Sequence, residues 1–450
     1  MVETIQPNLA FPRISTDKAP MPHKNLALRL LFRFLQLFAS TTLRMYFRRI
    51  EIINPELLNT SGRLIVISNH PNTLIDPLMA LQHLFVRPFL LANASLFKQF
   101  IPRKVLSALY CLPLKRAKDF DSGFVNNNQI FARCITHLQE GGSLYIAPEG
   151  TSENERHVRP FKKGLAHIYE QAHREGMTDV KILMVGLTYY NPQKANSDVV
   201  IEVSEPFQPK IGGSNVNSYS KRLDTVLEQI ETQFHQTVIH CEDAEEEKLL
   251  EKAEILAQSE QYLPLREKYF RSKNILEKLR RAKRDNATQF SEFETDINHY
   301  FSVLEKNNLR DVNLQKYDRL KNLFILLILS PFSIFGLVNN IIPLSLIGLL
   351  RRSRYFNFES DYYTCVQYVS GLILYPLFWF LQFQFVRWFW HHPHDAIIYC
   401  VSVIACGLVA RAQWVQLKKY LNYLATQVCA NRNQIITNRN QICANLNSYG

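Results

Sequence analysis

The chain has 450 residues and a formal net charge of +12, with 47% hydrophobic and 12% aromatic residues. This length allows one large or two modest domains with a sizeable core. Lys and Arg flank apolar segments and form no basic stripe of their own, which argues against nucleic acid as a partner and favours a membrane surface with anionic lipids. The eight Cys include no CxxC pair, so we interpret them as reduced thiols in a cytosol-facing protein.

The first 49 residues divide into a leader and a helix. Residues 1–23 are polar and Pro-rich and lack the apolar core of a signal peptide, so we expect a flexible leader. In residues 24–49, polar side chains recur every three to four residues among Leu, Phe and Ala, a pattern typical of a basic amphipathic helix. We expect this helix to lie in the membrane interface. The alternative is a helix that packs on the core of a soluble domain.

From about residue 50 to residue 207, short apolar runs alternate with helical segments. This alternation predicts an α/β domain with a mixed, largely parallel sheet flanked by helices. Active residues should then lie on loops at one edge of the strands. The predicted strands are 64–68, 88–92, 144–147, 181–188 and 199–203. The predicted helices are 78–84, 125–139 and 164–174.

The stretch RLIVISNHPNTLIDP at 63–77 carries the candidate catalytic pair. Its apolar, β-branched run predicts a buried strand, and turn-forming residues follow directly, so His70 should lie at the mouth of the strand. Asp76 follows six positions later. A carboxylate that orients an imidazole makes it a general base, able to take a proton from a hydroxyl. The alternative is a turn His beside a helix-capping Asp.

Later loops carry candidate ligands for a phosphate or a hydroxyl. In LPLKRAKD, a guanidinium just past an apolar run can grip a phosphate, unless the basic pair only solvates a surface turn. In APEGTS, the Gly lets the backbone approach an anion and the Glu can hold a hydroxyl. In RPFKKG, basic residues precede a helix N-terminus, where phosphates bind readily, unless they are a solvated charge run. The candidate substrate-binding residues are Lys115, Arg116, Glu149, Gly150, Thr151 and Lys163.

Residues 237–320 are rich in charge and nearly free of Gly, which predicts long charged helices. A solvated helical spacer or hairpin is the favoured interpretation over a ligand-binding role. Residues 413–450 are predicted to form a C-terminal helix and a polar tail. The tail contains NRNQI twice, seven residues apart, but two repeats are too few to predict a coiled coil.

Residues 321–412 have the composition of transmembrane hairpins. The uncharged stretch 322–350 contains Pro and Asn and predicts a kinked or re-entrant hairpin, 362–386 is a stronger span, and 396–410 is marginal. If these segments form two hairpins, the flanking basic residues lie on one side, which would be cytosolic and shared with the catalytic domain. The His-rich turn at 391–394 is interpreted as a polar cap, and no metal site is predicted.

The order of the motifs is more specific than any one of them. NHPNTLIDP, LPLKRAKD, APEGTS with RPFKKG, and VGLTYYNP followed by EPF resemble the successive sequence blocks of the glycerol-phosphate and lysophosphatidate acyltransferase superfamily, over residues 60–210. Five residues separate the His from the Asp, where the commonest form of the family has four. In this His-to-Asp spacing the chain is most similar to the fungal-type glycerol-3-phosphate/dihydroxyacetone-phosphate acyltransferases. The VGLTYYNP loop either packs plainly or shapes the acyl or acceptor pocket.

The resemblance implies an acyltransferase domain over residues 50–236. It implies roles for five residues, with a base, its orienting acid, and three ligands of the acceptor phosphate and glycerol: His70, Asp76, Arg116, Glu149 and Gly150. Many members carry Arg after the Gly-Thr pair, where this chain has Ser152. Either Arg156 and Arg159 compensate for that Arg, or the phosphate is held differently.

The implied reaction transfers an acyl chain from acyl-CoA or acyl-carrier protein to glycerol-3-phosphate or dihydroxyacetone phosphate in phospholipid synthesis. Membrane lipids, the acceptor and the acyl thioester are the expected partners, and no cofactor is expected beyond that co-substrate. No Gly-x-Ser-x-Gly elbow is present, so no acyl-enzyme is needed. The alternatives are a 1-acyl-glycerol-3-phosphate acyltransferase and a non-catalytic membrane scaffold with the same fold. A metal-dependent hydrolase lacks further ligands at plausible spacing.

Overall fold

The computed structural model describes residues 26–86, 88–94, 111–115, 127–211, 219–258, 263–311, 319–352, 362–429 and 431–448. The strands are β1 (Arg49–Ile53), β2 (Leu64–Ser68), β3 (Phe89–Asn93), β4 (Cys111–Leu114), β5 (Leu144–Ile146), β6 (Lys181–Tyr189) and β7 (Asp198–Val203). The helices before the membrane segments are α1 (Leu26–Tyr46), α2 (Ile75–Leu81), α3 (Asn128–Gln139), α4 (Gly164–Arg174), α5 (Tyr219–His235), α6 (Ala244–Gln258), α7 (Leu265–Asp285) and α8 (Ala287–Lys306). The remaining helices are α9 (Arg319–Arg352), α10 (Tyr363–Trp390), α11 (Pro393–Val428) and α12 (Arg432–Ser448).

The strands form one sheet in the order β1-β7-β6-β2-β5-β3-β4. All neighbouring strands are parallel except β6 and β7. This confirms the predicted mixed, largely parallel sheet with flanking helices. The carboxyl ends of β2, β5 and β6 therefore lie at the same edge of the sheet. Because β1 and β7 run the opposite way, their first residues lie at that edge too.

Both faces of the sheet are covered, which explains the unbroken apolar sequence of β2. All five of its residues are buried. Ile65 and Ile67 belong to a core that includes α3, α4 and α5, while Leu64 and Val66 belong to a core that includes α1 and α2. A strand that is buried on both faces carries no polar alternation.

Two strands were missed in the sequence because both are edge strands. β4 contains Pro113, which argues against a strand in the sheet interior but is tolerated at an edge, where one side of the strand needs no hydrogen-bonded partner. β1 reads RIEII, and four of its five residues are only half-buried, so it gives a weak strand signal.

The charged helices and the C-terminal helix share one core. Buried side chains of α6, α7, α8 and α12 form a cluster that reaches the sheet at Ile53 and Val200. The Ile of each NRNQI motif, Ile435 and Ile442, is buried there. Arg439 donates to Asp311 at 2.8 Å in a buried ion pair. The seven-residue period therefore sets one packed face of a single helix.

Helices α9, α10 and α11 are long and apolar enough to cross a membrane by length and composition. The segment at 396–410, which looked marginal in sequence, lies in the first half of the 36-residue helix α11. Polar groups within the three helices form hydrogen bonds from one helix to another. The indole of Trp379 donates to Asn340 Oδ1 at 2.9 Å, and the Asn340 amide points at the carbonyl of Val403.

Helix α9 is bent, as its contacts at both ends show. Near one end, Gln413 donates to the Leu326 carbonyl at 2.7 Å, and near the other end Ile347 lies against Gly371. Both Gln413 and Gly371 are about 20 residues, or ~30 Å, from the turn between α10 and α11. The middle of α9, at Asn340, meets α10 and α11 much nearer that turn. Both ends of α9 therefore lie farther than its middle from the turn between α10 and α11, which requires a bend.

Proline accounts for the bend. Pro343 has no N–H, so the carbonyl of Asn339 lacks its usual helical donor. The side chain of Gln382 donates to that carbonyl at 2.9 Å. Pro331 likewise leaves the carbonyl of Leu327 without its usual helical donor. The Ser330 hydroxyl donates to that carbonyl at 2.8 Å.

Candidate active site

His70 and Asp76 form a hydrogen-bonded pair at the carboxyl end of β2. The His70 Nδ1 and Asp76 Oδ2 are 3.0 Å apart. The imidazole is 24% exposed and the carboxylate is fully buried. With Nδ1 facing the acid, Nε2 remains as the ring nitrogen for proton transfer. The short loop and the start of α2 fold the acid back onto the His.

Two further donors fix the carboxylate of Asp76. The Asn72 backbone N–H donates to the same Oδ2 at 2.6 Å, and the Tyr189 hydroxyl donates to Oδ1 at 2.8 Å. Burial raises the pKa of Asp76, and the hydrogen bonds from His70, Asn72 and Tyr189 oppose that rise. Burial beside Asp76 also raises the pKa of Tyr189 well above its usual value, so its hydroxyl stays protonated and donates.

The extra residue between His70 and Asp76 is accommodated by a left-handed turn. Thr73 has φ +43°, a conformation that a β-branched residue adopts only under constraint. The Thr73 backbone N–H donates to Ser152 Oγ at 2.9 Å, and the Asn72 side chain donates to the carbonyl of Pro192 at 3.0 Å. The loops after β5 and β6 thus hold this turn.

Glu149 joins two loops through backbone amides. Its Oε1 accepts from the His70 N–H at 2.8 Å and its Oε2 accepts from the Arg159 N–H at 3.0 Å. The side chain is buried, which raises the pKa of the carboxyl. Gly150 follows with φ +69°, and a Cβ there would meet the stem of Lys162. The structure therefore gives Glu149 a positioning contact to the backbone of the base, and its role as a hydroxyl ligand stays a prediction.

We expect Glu149→Gln to weaken both folding and activity. An amide keeps one acceptor oxygen, so one buried backbone N–H, of His70 or of Arg159, loses its partner. Leaving a buried donor unpaired costs about 1–3 kcal/mol. Thermal unfolding in detergent should show the lower stability, and kcat should fall because the base is less firmly placed.

Glu153→Gln is the matched control. Glu153 lies in the same loop, is more than a third exposed, and pairs only with the guanidinium of Arg159. Its substitution should leave the unfolding temperature and kcat near wild type. Equal losses in the two variants would contradict a specific role for the Glu149 contacts.

The remaining predicted ligands are dispersed. Lys115 directly follows β4 and its backbone pairs with the Asn127 side chain. Arg116 lies outside the described residues. Thr151 is half-buried beside Gly150. Lys163 turns to α5, where its ammonium contacts Asp224 at 2.7 Å. Sequence position alone suggested Lys163, but its neighbour Lys162 is the one that lies along the Gly150 turn.

Both nearby Arg side chains already have carboxylate partners. Arg156 is buried, and its guanidinium donates to Glu254 at 2.8 Å. The guanidinium of Arg159 is held by Glu153 and Glu155. Of the two alternatives left open by the sequence, the contacts favour a phosphate that is held differently.

The first turn of α10 packs against the candidate site. The Thr364 hydroxyl donates to the carbonyl of Pro192, the same oxygen that accepts from Asn72. Tyr368 is buried in the core with α1 and α2, and its hydroxyl is 2.5 Å from the Thr42 hydroxyl. A membrane-type helix therefore shares a hydrogen-bond acceptor with the loop that carries the base.

A small cavity of about 60 Å³ lies beside the loop that carries His70. It is lined by backbone and side chains from all three loops, among them Asn69, Glu149, Arg156, Tyr189 and Pro192. This volume holds a few water molecules and no larger ligand.

Comparison with known proteins identifies the domain that carries this pair. The family model described as "Acyltransferase" matches residues 49–188. Residues 49–188 thus match the acyltransferase family over about a third of the chain. The match contains the His70–Asp76 pair, Glu149 and most of the sheet, and it confirms the resemblance drawn from the motifs.

Two relatives of the acyltransferase domain are informative. The chain is 26% identical over 126 residues to glycerol-3-phosphate O-acyltransferase 1 of Saccharomyces cerevisiae, covering 27% of this chain and 17% of the yeast protein. The chain thus spans about a sixth of the length of that curated relative. The crystal structure of the 1-acyl-sn-glycerophosphate (LPA) acyltransferase PlsC from Thermotoga maritima has 17% identity and a TM-score of 0.35, covering 46% of this chain and 80% of PlsC.

Sequence reasoning missed three residues of the acyltransferase site. Tyr189 lies in the VGLTYYNP stretch, which was noted only as a possible pocket wall. Side chains alternate between the two faces of a strand, and this alternation along β6 could have placed Tyr189 on the same face as Leu187. Ser152 was regarded only as a missing Arg, although it caps the strained Thr73 turn. Thr364 gave no signal, since its contact depends on how α10 packs.

Proposed function

We propose that this protein transfers an acyl chain from a thioester to the hydroxyl of a glycerol-phosphate-type acceptor. The observation that supports this most is the His70–Asp76 pair, 3.0 Å apart at the edge of an acyltransferase-family sheet, with its acid also held by Asn72 and Tyr189. Glycerol-3-phosphate or dihydroxyacetone phosphate is the proposed acceptor, because the curated match is to a yeast glycerol-3-phosphate acyltransferase. A lysophosphatidate is the second candidate.

The geometry suggests a direct transfer. His70 Nε2 takes the proton of the acceptor hydroxyl while Asp76 stabilises the imidazolium that forms. The oxygen attacks the thioester carbonyl, and the tetrahedral intermediate expels the thiolate. The imidazolium then returns its proton to the thiolate, so that His70 is neutral again. No covalent acyl-enzyme is formed in this scheme.

Helix α1 supports a location at the membrane. One of its faces is buried against α2 and the sheet through residues such as Ala39 and Leu43. Its other face is apolar and 61–68% exposed at Leu26, Leu30, Phe34 and Leu37. An exposed apolar helix face of this kind lies stably in the acyl boundary of a bilayer.

We propose that the catalytic domain lies on the cytosolic side. Because α9 is bent and α10 and α11 form a hairpin, basic residues at both ends of α9 lie on the side of the acyltransferase domain, among them Lys321, Arg351 and Arg352. Arg411 of α11 joins them there, since it donates to the carbonyl of Tyr46 at 2.7 Å. Excess Lys and Arg mark the cytosolic side of membrane proteins.

The test is acyl transfer by membranes that contain the protein. Glycerol-3-phosphate, dihydroxyacetone phosphate and a lysophosphatidate are offered separately, each with an acyl-CoA and with an acyl-carrier protein. We expect product with one of the first two, absent from membranes that carry His70→Ala. Product only from the lysophosphatidate would replace the proposed acceptor. No His70-dependent product from any pair would support the non-catalytic scaffold.

A further inference from the structure

A group of cations lies where the sheet meets helix α11. Arg48 precedes β1, Lys268 is in the first turn of α7, and Lys419 is near the end of α11. Arg48 is 43% exposed, and the two lysines are half-buried. Lys419 is close enough to Arg48 for their charges to repel. We call these three residues the Arg48 cluster.

The acids around the Arg48 cluster already have partners. Asp198 is buried and accepts bidentate hydrogen bonds from both Arg48 and Arg49. That shared carboxylate has its pKa lowered to about 2 by the two guanidiniums. The other acid that acts on Lys268 is Glu254, which pairs with Arg156. Arg48 and Arg49 thus share the carboxylate of Asp198, and Glu254 is held by Arg156.

The two lysines have no ion pair of their own among the residues that the structure describes. The ammonium of Lys268 lies 3.5 Å from the ring centre of Tyr190, whose ring also contacts the guanidinium of Arg156. Burial and the neighbouring cations lower the pKa of Lys268 to about 8. Partly buried cations that repel one another are stabilised when an anion binds between them.

The position of the Arg48 cluster indicates where that anion comes from. Trp414 on α11 is 56% exposed and the ammonium of Lys418 lies 5.1 Å from its ring centre. Exposed Trp and Lys on a spanning helix mark the level of the lipid headgroups. Lys419 is the next residue along the helix. The cluster therefore lies at headgroup depth, beside the strand edge that also carries the candidate active site.

We propose that Arg48, Lys268 and Lys419 bind the phosphate of an anionic phospholipid headgroup. A guanidinium and two ammonium groups at one site suit a phosphate, since each can donate to its oxygens. The site differs from the acceptor site in its residues and lies about three strand spacings, or ~14 Å, from β2. It does not depend on the proposed acyl transfer.

The experiment measures the reactivity of Lys268 in lipid nanodiscs. The full-length protein is placed in discs of phosphatidylcholine alone or with phosphatidylglycerol, which is neither a proposed substrate nor a product. An amine-acylating reagent is added at pH 8, and the modification of each lysine is followed by mass spectrometry. In phosphatidylcholine, Lys268 should react fast because about half of it is neutral. Phosphatidylglycerol should lower the modification rate of Lys268 at least about tenfold, because a bound phosphate keeps the ammonium charged.

The controls separate this site from the general charge of the surface. Lys248, an exposed lysine of α6, should react equally in both discs. Arg48→Gln leaves Asp198 paired with Arg49 and should abolish most of the protection. Arg271→Gln removes an exposed charge from α7 and should leave the protection of Lys268 unchanged.

A third arm adds millimolar inorganic phosphate to the phosphatidylcholine discs. Protection by phosphatidylglycerol but not by phosphate supports the headgroup site. Equal protection by free phosphate would assign the anion to solution and overturn the lipid assignment. Absence of protection in both arms, or equal protection in wild type and Arg48→Gln, would overturn the site itself.

Discussion

Replacing the base, in His70→Ala, should lower kcat/KM for acyl transfer by about 10²- to 10⁴-fold, the usual contribution of a positioned general base. Asp76 keeps its hydrogen bonds from Asn72 and Tyr189 in this variant, so folding should be preserved. The loss should appear mainly in kcat, since the acceptor loses its proton acceptor and keeps its binding groups. Initial rates at varied acceptor concentration measure the effect.

The matched control for this loss is His299→Ala. His299 is an exposed residue of α8, far along the chain from the acyltransferase domain. Its kinetics and unfolding temperature should equal those of wild type. A His70→Ala enzyme with near-normal kcat would remove His70 from the mechanism.

Asp76→Asn should separate activity from stability. The amide keeps the shape of the carboxylate but cannot stabilise the imidazolium, so kcat should fall by about 10²- to 10⁴-fold. The difference in stability from wild type should depend on pH, because burial holds the folded-state pKa of Asp76 above its unfolded value. The folded protein then binds the proton more tightly, so this group's contribution to stability falls as pH rises from ~4.

Thermal unfolding at several pH values tests that sign. The unfolding temperature of Asp76→Asn relative to wild type should increase as the pH is raised from ~4 toward 7. Asp179→Asn is the control, because Asp179 is 59% exposed and pairs with Arg63 at the surface. Its effect should be small at every pH. A strongly destabilised Asp76→Asn protein at neutral pH would show that the carboxylate is structural.

How far the sequence predicts this protein depends on whether the deciding contacts are local. Strand β2, its turn and His70 follow from one apolar run and its Asn and Pro neighbours, and helix α4 begins and ends where its pattern predicts. The pairing of Glu149 with two backbone amides has no such signal. Residue type gave its charge, but the sheet order determined which N–H groups it meets.

The membrane segments show the same limit. Pro and Asn within an uncharged stretch correctly indicated a bend in α9. The carbonyl acceptors freed by Pro331 and Pro343 are satisfied by Ser330 and by Gln382. The first donor is a neighbour in sequence, whereas the second is on another helix and could not be assigned before the helices were packed.

The contact of Thr364 with the Pro192 carbonyl ties the order of synthesis to the onset of activity. A ribosome completes the acyltransferase domain before it makes α10, so a nascent chain has the His70 loop but not its Thr364 donor. The Pro192 carbonyl, which also accepts from Asn72, gains this second donor only when α10 is in place. We therefore expect a chain that lacks α10 to hold the loop after β6 less firmly, and a full chain to complete this contact only when α10 is in the bilayer.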